Sequence, residues 1–172
     1  MTDYTDLARR IAREYTLDPR ILIAVMEQES GGDPYAYRPE PHYRWFWNVH
    51  SGAPFRSVTP DEIASKIAPP DFPCLGGTRD QEWWGQQASW GLCQIMGAVA
   101  REQDFKGRFL TELCVPEVNL DLGARLLRAA IAWAHGDERL AIGSYNAGRG
   151  GAHSTQAQAY AAAVLARKIR LA

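Results

Sequence analysis

Cysteine, net charge and long apolar runs are all scarce in this chain of 172 residues, and each scarcity removes a class of protein. Its three cysteines, Cys74, Cys93 and Cys114, are odd in number, widely spaced and without a CxxC pair. That is unlike a disulfide framework or a zinc site, so buried reduced thiols are expected. Nineteen Lys and Arg against twenty Asp and Glu leave a formal net charge of -1; with no basic stripe around the aromatic residues, nucleic acid is not an expected partner. No stretch approaches the roughly 18 consecutive apolar residues of a bilayer span, so no integral membrane segment is expected. Asp3 and Asp6 sit where a secretory signal carries positive charge, which reads as synthesis in the cytoplasm without a signal peptide. HExxH and GxSxG are absent, and the glycines from Gly143 to Gly148 are followed by Arg149-Gly150 where a P-loop has lysine and a hydroxyl residue. After Glu138 no acid follows, whereas Arg139, Arg149, Arg167, Lys168 and Arg170 do; such cations complement the dipole of a last helical turn, which is favoured over an anionic partner.

With 46% hydrophobic and 23% charged residues, what remains is an ordinary globular composition, read as one domain over residues 1–172. Leu7, Ile11 and Tyr15 give a helix over residues 3 to 15, and Asp18-Pro19 caps a second whose body, Ile21 to Met26, is apolar all round. From Gly31 to Trp90 the texture changes, with eight of the ten prolines and five of the six tryptophans. This segment, about 31–88, reads mostly as structured loop with one short helix, opened by the capping box Thr59-Pro60-Asp61-Glu62 and stopped by Pro69-Pro70. Helical spacing resumes over Ser89 to Asp104, a short helix starts at Arg108, and Pro116 opens a long helix to about His135 with Leu120, Ala124, Leu127, Ile131 and Ala134 on one face. Helices over Glu138 to Ala147 and Thr155 to Leu171 follow, separated by a flexible glycine-rich run at 148 to 152. The expected fold class is mainly α.

Two acids compete at the end of the apolar helix. Glu29 follows Met26, Val25 and Leu22 by three, four and seven residues, whereas Glu27 shares its side with Ala24, Ile23 and Arg20. Glu29 therefore faces the more apolar wall, where desolvation disfavours its ionised form and lets it hold a proton near neutral pH. A helix-terminal glutamate reaching solvent beyond Gly31 is the competing reading.

Three further segments bear on that choice: Ser89 to Gly97 sets glycines beside Gln94 and Met96, Ser144 to Gly148 presents a tyrosine and an asparagine before a glycine, and Tyr160 is the polar aromatic of an alanine-rich helix. Glu29-Ser30, Gly91-Leu92-Cys93-Gln94, Ser144-Tyr145-Asn146-Ala147-Gly148 and Tyr160, in that order, resemble the soluble lytic transglycosylases with a goose-type lysozyme-like fold. That family carries glutamate-serine, GLMQ, AYNAG and a tyrosine in its last helix. The likeness runs from about Asp18 to Lys168 apart from most of a long proline- and tryptophan-rich insertion. Cys93 replaces the methionine of GLMQ, Ser144 replaces the first alanine of AYNAG, and Arg38 stands where the family's loop serine falls.

The resemblance implies that Glu29 is the single catalytic acid and base. It also implies that Ser30 and Gln94 line sugar subsites, that Met96 lies against the bound ring or its acetamido group, that Tyr145 and Asn146 flank the scissile bond, and that the Tyr160 hydroxyl hydrogen-bonds the Glu29 carboxyl. The implied substrate is the glycan strand of peptidoglycan, cut at the N-acetylmuramic acid to N-acetylglucosamine β-1,4 bond with closure of a 1,6-anhydro ring, without metal or cofactor. A monomer acting on the cell wall after release, or carried in a phage particle with a release or virion partner, is the corresponding setting. Two alternatives stand beside it: a goose-type-like muramidase that adds water, with a base drawn from Asp33, Glu40, Asp61, Glu62, Asp71, Asp80 or Glu82, and a wall-binding or virion structural protein without chemistry. Some of Trp45, Trp47, Trp83 and Trp84 are expected to line the glycan groove as sugar platforms, unless they pack on one another.

Overall fold

A computed structural model describes residues 3–171. Its frame consists of α1 (Thr5–Glu14), α2 (Pro19–Ser30), α6 (Pro116–Trp133), α7 (Glu138–Gly151) and α8 (Thr155–Arg170). The apolar body of α2, Ile21 to Met26, is buried on every side because α1, α6 and α8 pack around it. The Asp18 carboxylate caps α2 by accepting from the Arg20 N–H, and Gly31 closes it with a φ of 63°. The core around it is aliphatic, with Ile11, Leu22, Leu92, Leu113, Leu120, Leu127, Ile142 and Val164 meeting in one cluster. At the far end Lys168 ties α8 to Glu138 at 2.7 Å and to Asp18 at 3.2 Å, while Arg167 donates to Gln28 at 2.9 Å. These two of the C-terminal cations are thus spent inside the frame. Among the described residues no helix is long and apolar enough to cross a membrane.

The segment between α2 and the second half builds a smaller core of its own. Between β1 (Tyr37–Pro39) and α4 (Arg79–Gln86) lie a two-stranded ribbon, β2 (Trp47–Asn48) with β3 (Ala53–Pro54), and α3 (Pro60–Ala64). Phe46 stacks on Trp83 with ring centroids 4.0 Å apart, Phe72 meets both edge-on, and Ile63 and Ala68 close the cluster. Both α3 and α4 begin at capping boxes, Thr59 with Glu62 and Thr78 with Gln81. The second helix is a correction to the sequence reading, which expected only one in this segment. The first ends at Ser65, ahead of Pro69.

One buried cluster joins the segment to the short helix that carries Arg101. Arg101 grips Glu82 with two nitrogens at 2.8 Å, and both side chains are almost wholly buried. Its remaining nitrogen donates to the carbonyls of Phe105 and Gly107. Gln86 donates to Glu82 at 3.0 Å and clasps the backbone of Trp47 through both ends of its amide. Glu82 is therefore an interior ion-pair member and not a loop carboxylate.

Residues 89 to 96, expected as helix, form a hairpin instead. β4 (Ala88–Trp90) pairs with β1 on one side and β5 (Ile95–Met96) on the other, before the short α5 (Gly97–Glu102). The reason is backbone conformation: Gly91 at φ 69° and Gln94 at φ 47° turn the chain left-handed twice within four residues, which no helix tolerates. A Cβ at Gly91 would also lie 2.5 Å from the Asn119 amide. The break expected after Ala147 is present: Gly148, at φ 68° and ψ 166°, interrupts α7, and only one further short turn runs to Gly151. Of the three free thiols, only Cys93 is buried; Cys74 and Cys114 are partly exposed.

Candidate active site

The turn at residues 90 to 94 is the hub of the site, and three helices hold its backbone. From α2, Ser30 Oγ donates to the Leu92 carbonyl at 2.9 Å; from α7, the Tyr145 hydroxyl donates to the Cys93 carbonyl at 2.9 Å. From α6, Asn119 accepts from the Cys93 N–H at 2.7 Å and donates to the carbonyls of Trp90 and Leu113 at 2.8 Å. A polar turn buried among helices needs such partners for its backbone groups. Gln94 completes the hub by donating to the carbonyls of Ala36 and Gly91 at 3.1 Å, which ties the turn to the segment that follows α2. Gly123 lets α6 approach, because a Cβ there would meet the Cys93 sulfur at 2.7 Å. The smaller thiol in place of methionine fits that close contact.

Glu29 emerges from the last turn of α2 beside this hub, and the Tyr160 hydroxyl donates to its Oε1 at 2.5 Å from α8. Burial raises the proton affinity of Glu29; the Tyr160 hydrogen bond and the positive charge of Arg38 oppose the rise without cancelling it. Its other neighbours stay uncharged. Burial lifts the hydroxyls of Tyr145 and Tyr160 far above the usual tyrosine range, and burial with the Glu29 charge lifts the Cys93 thiol. A single carboxyl among neutral donors, with one guanidinium at its rim, can hold a proton and later accept one.

In front of Glu29 opens a cleft of about 1290 Å³. Gln94, Met96, Tyr145 and Asn146 line it together with Glu29. Met96 also accepts from Ser89 Oγ at 3.1 Å, and Asn146 is exposed. Ser30 and Tyr160 do not line it: Ser30 spends its hydroxyl on the turn and on the Met26 carbonyl, and Tyr160 reaches Glu29 from the side.

The opposite wall comes from the proline- and tryptophan-rich segment, through Arg38, Glu40, His42, Tyr43 and Trp45. Of the four tryptophans from which groove platforms are expected, Trp45 is the one that lines the cleft, 75% exposed and edge-on to Tyr43. Trp83 is core, and neither Trp47 nor Trp84 reaches the cleft. Of the acids weighed as a possible base, only Glu40 lines the cleft, and it is held by Arg38 at 2.6 Å. Glu62 and Asp71 clamp Arg56 instead, and Asp80 accepts from the Ala68 N–H. Asn119, Tyr43 and Glu102 were not singled out in the sequence. Asn119 left one signal, an uncharged amide directly before Leu120, the first residue of the helix's apolar face, whereas Tyr43 and Glu102 left none.

No curated protein and no solved structure matches the chain at a significant level. A family model described as the transglycosylase SLT domain matches residues 6–166, which extends the sequence likeness back through α1. The match spans all the helices of the frame, the hub turn and the glutamate beside it. The chain therefore belongs to the transglycosylase SLT family, a lysozyme-like helical fold directed at peptidoglycan.

Proposed function

We propose that the chain is a lytic transglycosylase that cuts peptidoglycan glycan strands between N-acetylmuramic acid and N-acetylglucosamine, with Glu29 as both acid and base. The observation that carries this reading is the Glu29 carboxyl itself: desolvated, held by Tyr160 and open to the cleft. Protonated Glu29 gives its proton to the glycosidic oxygen as the bond to the muramic acid C1 breaks. The positive charge growing at C1 is met by the oxygen of the sugar's own acetamido group. Ionised Glu29 then takes the proton of the 6-hydroxyl on the same ring, whose oxygen bonds to C1 and closes the anhydro bridge. That nucleophile is already tethered to the reacting sugar, so it acts at high effective concentration.

In this scheme Tyr160 aims the carboxyl, and Gln94, Met96, Tyr145 and Asn146 border the bound sugars. Ser30 and Asn119 act one step back, by fixing the turn that carries Gln94. Trp45 and Tyr43 offer ring faces to the glycan from the other wall. A muramidase reading needs a second carboxylate to activate water. Glu40 and Glu102 both line the cleft, but Glu40 is engaged by Arg38 and so is a poor free base.

Mass spectrometry of digested sacculi decides between the two chemistries. Muropeptides ending in 1,6-anhydro-N-acetylmuramic acid, one water lighter and resistant to borohydride, are expected. Reducible ends as the main product overturn the transglycosylase reading and make Glu40 and Glu102 the residues to test.

A further inference from the structure

The three-stranded sheet β1-β4-β5 borders two cavities. One cross-strand row, Arg38, Ser89 and Met96, faces the large cleft, which Ile95 of the next row also borders; Tyr37 and Trp90 of that next row line a second cavity of about 230 Å³. Trp84 and Gly85 of α4, with Arg108, Phe109 and Leu110 ahead of α6, complete its lining. Tyr37, Trp84 and Phe109 are 54, 37 and 38% exposed, so three large aromatic side chains converge on one spot while still open to solvent. Exposed apolar surface gathered in this way marks a binding site more often than chance.

The chemistry of the lining narrows the ligand. The Trp90 and Trp84 indole N–H groups are already used, on the carbonyls of Gly85 and Lys66. These residues therefore offer ring faces and not hydrogen bonds. Glu82 contributes no free charge, because Arg101 neutralises it inside the protein. Arg108 is the cation at the mouth. Its side chain lies across Gly76, where a Cβ would collide with it, and its guanidinium sits 5.3 Å from the centre of the Phe109 ring. Among the described residues no carboxylate pairs with it. Flat apolar faces with one unpaired guanidinium suit a ligand that joins a sugar ring to a carboxylate.

We propose that this cavity is an accessory peptidoglycan site, taking a muropeptide unit whose pyranose ring lies on the aromatic faces while a stem-peptide carboxylate pairs with Arg108. Such a site presupposes peptidoglycan as the substrate, but it uses neither Glu29 nor the cleft. It holds a second stretch of wall beside the strand being cut, which raises the effective concentration of glycan at the cleft on an insoluble, multivalent substrate. On short soluble strands it has little to add.

The test compares Arg108→Glu, Arg108→Lys and the wild type. The probe is N-acetylmuramoyl-L-alanyl-D-isoglutamine, which carries one ring and one free carboxylate. Titration is expected to shift the indole N–H signals of Trp84 and Trp90 in the wild type, weakly in Arg108→Lys and not in Arg108→Glu. The ratio of the rate on intact sacculi to the rate on soluble uncross-linked strands is expected to fall about tenfold in Arg108→Glu, with partial recovery in Arg108→Lys. Trp84→Leu, checked for an unchanged melting temperature, is expected to lower the same ratio. If the muropeptide shifts survive charge reversal, or the ratio stays constant, the accessory site is wrong. It is equally wrong if sedimentation shows a dimer that Arg108→Glu dissolves, because the patch is then covered by a second copy. If the wild type cuts neither sacculi nor soluble strands, the peptidoglycan-cutting reading fails first. A wild type that cuts both while Arg108 matters to neither leaves that reading standing and removes the accessory site alone.

Discussion

The frame and the proline- and tryptophan-rich segment reach stability by opposite routes. The frame packs aliphatic side chains of long helices around α2, in an interior cluster without charge. The segment has little regular structure, packs three aromatic rings at right angles or in a stack, and is fastened by a buried arginine-glutamate pair. Their tasks differ in the same way. On the proposed function, the frame fixes the atoms that need exact placement, Glu29 and Tyr160, and braces the hub turn, whereas the segment supplies a wall of the cleft. Long helices hold a carboxyl to a hydrogen bond's tolerance because many residues share the load; a loop-rich wall tolerates change because few contacts depend on any one position.

The sharpest way to test that division is to remove the acid. Glu29→Gln is expected to lower wall-digesting activity by about a thousandfold or more, at the upper part of what a lost general acid costs, while Glu27→Gln stays active. Stability should move the other way. Burial raises the proton affinity of Glu29 above its ordinary value of 4.5, so the folded chain keeps a proton that the unfolded chain releases. The wild type then loses stability as pH rises from about 4.5 through the raised value, and the Gln variant does not. Melting curves at pH 4 and pH 7 should show a difference that grows in favour of Glu29→Gln; a difference that shrinks contradicts the desolvated acid.

Next in size is the buried pair that joins the segment to α5. Glu82→Gln leaves the Arg101 guanidinium buried without its charge partner and is expected to destabilise by about 3–5 kcal/mol. The double change Glu82→Leu with Arg101→Met removes both charges and should recover most of that loss. Denaturant titrations of both variants check this, and a stability insensitive to Glu82→Gln would mean that the segment does not depend on the ion pair for its attachment to α5.

Smaller effects belong to the residues that tune Glu29. Tyr160→Phe is expected to lower turnover by about ten- to a thousandfold with folding intact, the usual range for one positioned hydrogen bond in a dry site. It also removes a group that favours the ionised carboxyl, so the alkaline limb of the pH profile should move to higher pH. An unchanged rate would make Tyr160 a packing residue. Arg38→Gln takes away the one cation that pulls the Glu29 proton affinity down, and it should displace the same limb upward with a modest change at the optimum. If Tyr160→Phe moves the limb and Arg38→Gln does not, the frame alone sets the acid and the wall from the segment has no electrostatic part in it.

Local periodicity accounts for the helices of the frame and for the side of α2 on which Glu29 stands, but it leaves open whether that carboxyl reaches solvent beyond Gly31; the family resemblance, and not the spacing, singles it out as the candidate acid. An all-apolar Ile21 to Met26 specifies a central helix, the spacing of Glu29 from Leu22, Val25 and Met26 puts it on the apolar side, and Asp18, Pro19, Gly31 and Pro116 mark helix ends through their own backbone chemistry. The four family motifs associate Glu29, Gln94, Tyr145 and Tyr160 through their order along the chain. Only the tertiary structure decided what each motif residue touches. Ser30 and Tyr145 hold the turn by its carbonyls, Asn119 answers the same turn from α6, and Glu82 goes inside because Arg101, nineteen residues away, is there to meet it. Residues 89 to 96 show the limit most clearly: their apolar spacing suits a helix, yet two left-handed residues and the partner strand β1, 49 to 53 positions earlier, make a hairpin. Periodicity reports the face a segment would bury, whereas the pairing of backbone groups is settled by which distant segment arrives to receive them.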